Sequence, residues 1–455
     1  MPNISSGLPS PESSPESNSE DKANRGDATS SRVCILSHRP ETAEGLYIDG
    51  PDDEVEPLEG YHDNGYHPVK IGDCFGPSGQ YCVQHKLGHG GFATVWLCRD
   101  TQHGRYVAVK IMIAEVTPDK IPDLGLSQLD LDLPGAEFVI TPLDHFALDG
   151  PNGTHQCLVT PLLGPRVAPD LWPHIKQDPD VMLPRLARQA TQALNFLHKN
   201  RICHGDFRPA NILVRLINID HLSKNELYAL IGAPMAVMVR HVSGGDLPTL
   251  SPKYLVLQAN LAGLGAYLSD QIAVIDFGES YPFSSPPEDL GIPDHYLPPE
   301  LLLDERLVPG PAADLWALGC TLFEIRQQLS LFHTTNGPDS VLAHIVRLFG
   351  KLPEKWWDKW ESRRDFFDDQ GRWTRSSRGF SLEEDLKREL KIFGTEKSTP
   401  RSSMITPEVQ QKLLADLLYK LLRYEPAGRL TAEQALEHEW LKDNEPSTGL
   451  EIVLS

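Results

Sequence analysis

Two hydrophobic rhythms divide this chain. Between Tyr81 and Ile111 apolar residues alternate with polar ones, through Tyr81, Val83 and Leu87, then Val95-Trp96-Leu97, then Val107-Ala108-Val109-Lys110-Ile111. A period of two sends successive side chains to opposite faces, so these runs read as a meander of short strands. Beyond residue 180 the spacing lengthens. Leu183, Leu186, Ala187, Ala190, Leu194 and Leu197 recur at helical intervals, as do Leu413, Leu414, Leu417, Leu418, Leu421 and Leu422. Thr431 and Gln434 form a T-x-x-Q capping box ahead of a last helix. A strand-rich lobe followed by a helix-rich lobe is an α+β architecture, with a ligand cleft expected between the two.

The 455 residues suffice for two such lobes and a tail. Residues 1–60 are rich in Ser, Pro, Glu and Asp and are expected to be disordered, because they cannot bury enough apolar surface to order themselves. The net charge is −21, and residues 1–64 hold 14 acids against 4 bases. That balance argues against nucleic acid as the main partner, and it suits either solubility or a basic protein partner. The opening MPNISSGLPS lacks the basic and apolar parts of a signal peptide. The apolar run Tyr254–Leu268 is broken by Gln258 and Asn260, so no membrane partner is expected. Seven cysteines are scattered with no C-x-x-C pair, which reads as reduced, intracellular thiols.

Four motifs carry chemistry. Leu87-Gly88-His89-Gly90-Gly91-Phe92-Ala93-Thr94-Val95 places glycines between two strands, where backbone N–H groups can approach phosphates. A hairpin turn would explain those glycines equally well. Lys110 closes VAVK, and strand alternation puts it on one face with Ala108: a small residue for a flat base, a cation for a phosphate. In HGDFRPANIL, Asp206 is the candidate base, Asn211 the candidate metal ligand, and Arg208 a cation for the transferring group. Asp276-Phe277-Gly278 follows an apolar strand and offers a second metal ligand in Asp276. Residues 215–270, between these last two motifs, form a long insert with apolar runs and are expected to pack on the domain.

In this order the motifs resemble the eukaryotic protein kinases. HGD alone also resembles small-molecule phosphotransferases, but the later motifs favour protein kinases: Pro299-Glu300, D-x-W-x-x-G at Asp314–Gly319, and Arg429. GYHPVKIGD at Gly65–Asp73 followed by KLGHGGFATVWLCRD narrows the resemblance to SR-protein kinases, in a divergent fungal-type branch. The resemblance implies a two-lobed fold with an N-lobe over 65–164 and a C-lobe over 165–442. Residues 215–270 would be an insert and 443–455 a tail. It implies ATP and Mg²⁺ as cofactors, Thr160 as gatekeeper and Pro161–Leu163 as the adenine hinge, with Leu163 in the nucleotide site. It also implies a structural pairing of Glu300 with Arg429, a structural role for Asp314, and Ser/Thr phosphorylation of basic Arg/Ser-rich proteins that regulate mRNA splicing. The enzyme would be a monomer in the cytoplasm and nucleus. Acidic residues in Trp356–Asp369 could contribute to substrate docking.

Three departures stand out. Arg208 replaces the family's lysine, and Gly205 replaces the arginine that reads a phosphorylated activation loop, which implies no such switch. Residues 114–137 contain Pro118, Pro122 and Pro134, poor material for the helix that normally supplies a glutamate to Lys110. Asp123 is the best substitute for that glutamate and Glu115 a second choice. If neither serves, the alternative is a pseudokinase acting as a binding scaffold.

Overall fold

The computed structural model describes residues 42, 45–51, 55–169, 171–304, 306–332, 337–374, 381–393 and 400–442. The expectations for the acidic tail before residue 42, for Cys34 and for residues 443–455 lie outside these. The expectation of disorder up to residue 60 needs correction: Leu46 to Asp49 form a strand, and Leu46, Val55 and Leu58 are buried against Val237 and Leu255 of the insert, which supplies the apolar cover that the segment lacks by itself. The strands are β1 Leu46–Asp49, β2 Cys74–Phe75, β3 Tyr81–Gly90, β4 Ala93–Asp100, β5 Arg105–Met112, β6 Asp144–Gly150 and β7 Gly153–Pro161. After these come β8 Leu163–Arg166, β9 Ile202–Cys203, β10 Ile212–Leu216, β11 Ala236–His241, β12 Tyr254–Val256 and β13 Leu268–Val274.

Strands β2 to β7 build one six-stranded antiparallel sheet in the order β2-β3-β4-β5-β7-β6. Its register pairs Val95 with Lys110, Leu97 with Ala108, and Ala108 with Thr160. Directly opposed residues share a face, so Val95, Leu97, Ala108, Lys110 and Thr160 line one side. The other side buries Val83, Trp96, Val107, Val109 and Ile111 with Phe146 and Val159.

Helix α1, Pro179–Lys199, starts where Asp178 accepts the Asp180 N–H and Pro179 occupies the first turn. It ends with His198 and Lys199 near the C-terminal carbonyls. Its stripe of Leu183, Leu186, Ala187, Ala190, Leu194 and Leu197 is fully buried. The insert contributes α2, Lys224–Ile231, and the helical lobe continues with α3, Pro299–Leu303, and α4, Pro311–Gln327. Helix α4 is buried on every side from Ala313 onward, as expected for the centre of a helical core. Gly319 permits this packing: a Cβ there would lie 2.8 Å from the Leu422 side chain. The Thr431–Gln434 capping box forms.

Among the described residues between β5 and β6 there is no α-helix. Three short 3₁₀ turns, Pro118–Lys120, Pro122–Gln128 and Ala136–Phe138, take its place. Ile121, Val116 and Leu124 still dock on Ala93, Met112 and Leu158, while Leu126, Phe138 and Val139 enter the helical core.

The insert packs as expected. Ile219, Leu222, Leu227, Ile231, Ala259 and Leu264 cover Leu97, Tyr106 and Leu162. Strands β11 and β12 join β1 in a separate sheet ordered β1-β11-β12. The thiol reading needs correction. Cys98, Cys157, Cys203 and Cys320 are free and buried, but Cys74 and Cys82 form a disulfide. They face each other directly across β2 and β3, a register that linear spacing does not reveal.

Candidate active site

Strands β10 and β13 are antiparallel, with Ile212 opposite Val274. This ladder brings two distant motifs to one end, where the Ile275 N–H bonds Asn211 O at 2.9 Å. Asn211 and Asp276 therefore lie side by side although 65 residues separate them.

Asp206 is fixed by its neighbours. Its Oδ1 accepts from Arg208 Nε at 2.8 Å, and its Oδ2 accepts from Asn211 Nδ2 at 2.7 Å. The same Asn211 Nδ2 reaches Asp206 O at 2.9 Å. With that nitrogen committed, the amide oxygen is the part of Asn211 able to meet a cation. The loop is pinned from below by Asp314, a buried carboxylate that accepts the N–H groups of His204 and Gly205 at 2.8 and 3.0 Å. His198 Nε2 lies 3.0 Å from the same side chain. Thr321 Oγ1 donates to Phe207 O at 3.1 Å.

Lys110 Nζ pairs with Asp276 Oδ1 at 2.7 Å. Burial acts to raise the Asp276 carboxyl, but Lys110, with His204 and Arg208, outweighs it and holds the group below its ordinary value. Burial likewise acts to lower Lys110, and Asp276 and Asp123 reverse the sign. Both groups stay charged. Asp276 occupies left-handed backbone at φ 62°, uncommon for a residue with a side chain, so packing must hold it there. Phe277 beside it is fully buried, against the ring of the buried His204 at 4.9 Å.

The expected partner of Lys110 needs correction. Asp123, at the start of a 3₁₀ turn, comes near Lys110, Asp276 and the Phe277 backbone N–H, and burial raises its carboxyl. The ion pair itself is made by Asp276, because a turn with one methylene less reaches less far than a helix carrying glutamate. Glu115 is exposed, its backbone tied to Asn64 O.

Leu87 to Gly90 end β3 and Ala93 to Val95 begin β4, so the glycine segment is a hairpin tip: Gly90 opposes Ala93, His89 opposes Thr94 and Gly88 opposes Val95. Gly91 and Phe92 form the turn, and Phe92 is 65 % exposed. Leu87 is partly covered by the insert. Thr160 lies one residue before the end of β7, opposite Ala108, and Leu163 opens β8.

The segment from Asp276 to Glu300 is short and tied down. Tyr281 and Pro282 pair with Cys203 and Ile202 of β9, and Arg201 lies over the Phe283 ring at 4.5 Å. Glu300 and Arg429 make a buried two-pronged ion pair, both contacts 2.7 Å. Two contributors were not assigned roles from sequence: His204, packed between Phe207 and Phe277, and Glu324, which accepts from Tyr296 Oη at 2.9 Å.

The loop of Asp206 and Asn211, the carboxylate of Asp276 and the strand lysine Lys110 thus meet at one end of the β10–β13 ladder, and Lys110 is paired in register with Val95 at the base of the glycine hairpin. The protein kinase domain model matches residues 81–222 and 264–441. The chain belongs to the protein kinase family. It is an ATP-dependent protein kinase, and the resemblance to SR-protein kinases holds among its relatives. A serine/threonine-protein kinase SRPK from Physarum polycephalum is 29% identical over 420 residues, covering 87% of this chain and 93% of that one. SRSF protein kinase 3 from Homo sapiens is 35% identical over 196 residues, 41% of this chain and 34% of that one. The crystal structure of a kinase domain superposes with a TM-score of 0.54 at 20% identity, over 83% of this chain and 99% of that one, and so shares the fold. The unmatched gap in the family model, residues 223–263, falls within the insert.

Proposed function

We propose that this kinase transfers the γ-phosphoryl group of ATP to serine and threonine hydroxyls in basic, Arg/Ser-rich protein segments. The observation that carries the reading is the meeting of Asp206, Asn211, Asp276 and Lys110 at one end of the β10–β13 ladder. A carboxylate held ionised beside an amide oxygen is a hard oxygen donor set that fits Mg²⁺. Asp276 and Asn211 would hold that ion, which when bound neutralises charge on the phosphate oxygens. Lys110 binds the phosphates. Asp206, clamped by Arg208 and Asn211, orients the acceptor hydroxyl and takes its proton. Arg208 offsets charge on the transferring group.

The scaffold alternative rested on a missing helix leaving Lys110 unplaced. Lys110 is instead held by Asp276 with Asp123 nearby, which supports catalysis. The buried Glu300–Arg429 pair supports a protein-substrate platform. For the substrate, the net charge of −21 supports basic segments, as do the exposed Asp358, Glu361 and Asp369. Asp368 contributes less, being paired with Arg372 at 2.8 Å. Monomeric action in the cytoplasm and nucleus completes the proposal.

The test is phosphate transfer from labelled ATP to an Arg/Ser repeat peptide and to an acidic peptide of equal length. Wild type should favour the basic peptide. Asp206→Ala should fall by about a hundredfold or more while keeping its melting temperature. Equal activity in that variant would remove Asp206 from the mechanism, and equal use of both peptides would remove the substrate assignment.

A further inference from the structure

The tip of the β3–β4 hairpin is open, since a Cβ on Gly90 or Gly91 would meet nothing within 4 Å. Glycine there permits close approach to a ligand but surrenders order. Tyr66, outside the family match, reaches this tip: its Oη donates to Gly90 O at 2.7 Å.

Tyr66 is itself held on several sides. It is 4 % exposed, and its ring stands edge-on to Tyr61 with centroids 5.6 Å apart. Its N–H bonds Gly60 O at 2.8 Å. Its carbonyl accepts from the buried Asn152 Nδ2 at 2.6 Å, and the same nitrogen reaches Leu250 O in the insert at 3.2 Å. The turn around it needs glycine twice. A Cβ on Gly60 would lie 2.2 Å from the Tyr66 ring, and one on Gly65 would lie 2.1 Å from Gly60 O.

The same extension grips β3 a second time. Tyr61 Oη donates to Glu56 at 2.6 Å, and Glu56 pairs with Lys86, which is fully buried. Lys86 opposes Trp96, which opposes Val109, so this grip is on the sheet face away from Lys110. The insert adds a bond from Ala259 N–H to Lys86 O at 2.9 Å.

We propose that Tyr66 is a positioning residue for the nucleotide, and that residues 55–66 form a strut that sets the glycine hairpin from behind. Carbonyl and N–H share one peptide plane, so the bond to Gly90 O fixes the direction of the Gly91 N–H, an amide placed to meet phosphate. With no α-helix described between β5 and β6, backing for the hairpin comes from the extension and the insert. The proposal rests on the ATP reading above.

Tyr66→Phe removes the hydroxyl and keeps the ring. KM for ATP should rise about fivefold, the worth of one net hydrogen bond, with kcat within about twofold. The melting temperature should stay unchanged, and amide hydrogen exchange of the nucleotide-free protein should quicken at residues 88–92 alone. Unchanged exchange at 88–92 overturns the strut whatever the kinetics, and so does an unchanged KM for ATP in active enzyme. Exchange that quickens across the whole lobe with a lower melting temperature also overturns it, because the role would then be merely structural. If wild type transfers no phosphate, faster exchange confined to 88–92 still supports the strut while the ATP reading fails.

Discussion

Gly205 shows how tightly the backbone can constrain a single position. Its φ is +81°, and a Cβ there would lie 2.1 Å from Glu279 O. An arginine at this site would need different backbone and a different path for the following segment. Gly205→Ala is expected to lower transfer about tenfold or more, since left-handed strain and a collision fall on the loop that carries Asp206. Steady-state kinetics beside a melting curve check this, and wild-type activity would show that the loop yields easily. At this scale the meeting of Lys110, Asp206, Asn211 and Asp276 was legible because each sits in a motif of local spacing. The partner of Lys110 was not, because a contact across 166 residues depends on how far a proline-broken segment can reach.

Helix α4 brings two buried carboxylates into the helical core, one serving the loop and one serving the segment before Glu300. Asp314 accepts the backbone of His204 and Gly205. Glu324, 5 % exposed, accepts from Tyr296 and Ser330. Burial pushes the Glu324 carboxyl up to about 7 from an ordinary 4.5, against the pull of those two hydroxyls. The folded protein thus keeps a proton that the unfolded chain releases. The stability this group contributes is full below pH 4.5 and is lost as pH rises through 7. Glu324→Gln removes that titration, so the melting temperature of wild type should fall relative to the variant between about pH 5 and 7.5. Parallel curves across the range would reject it. The helix itself was readable from D-x-W-x-x-G. Its all-round burial was not, because that depends on neighbours such as Leu422 packing onto Gly319. The disulfide escaped for a similar reason, since only the hairpin register sets Cys74 against Cys82.

Over the whole molecule, the charge of −21 should govern association more than chemistry. KM for a basic Arg/Ser peptide should rise several-fold between about 50 and 300 mM salt, while KM for ATP changes less. A peptide KM indifferent to salt would detach substrate choice from charge. The change of hydrophobic period made the two-lobed order visible. The joining of residues 45–51 and 55–66 with 236–256 and the β6–β7 turn was hidden, because Asn152 makes bonds spanning 86 and 98 residues. The anchoring of Tyr281 and Pro282 to β9 reaches furthest. On the proposed reading, a segment already laid down by its own backbone would need no second enzyme to release it. Output from such a kinase would then be a matter of supply: how much enzyme is made, how long it lasts, and whether it meets its target.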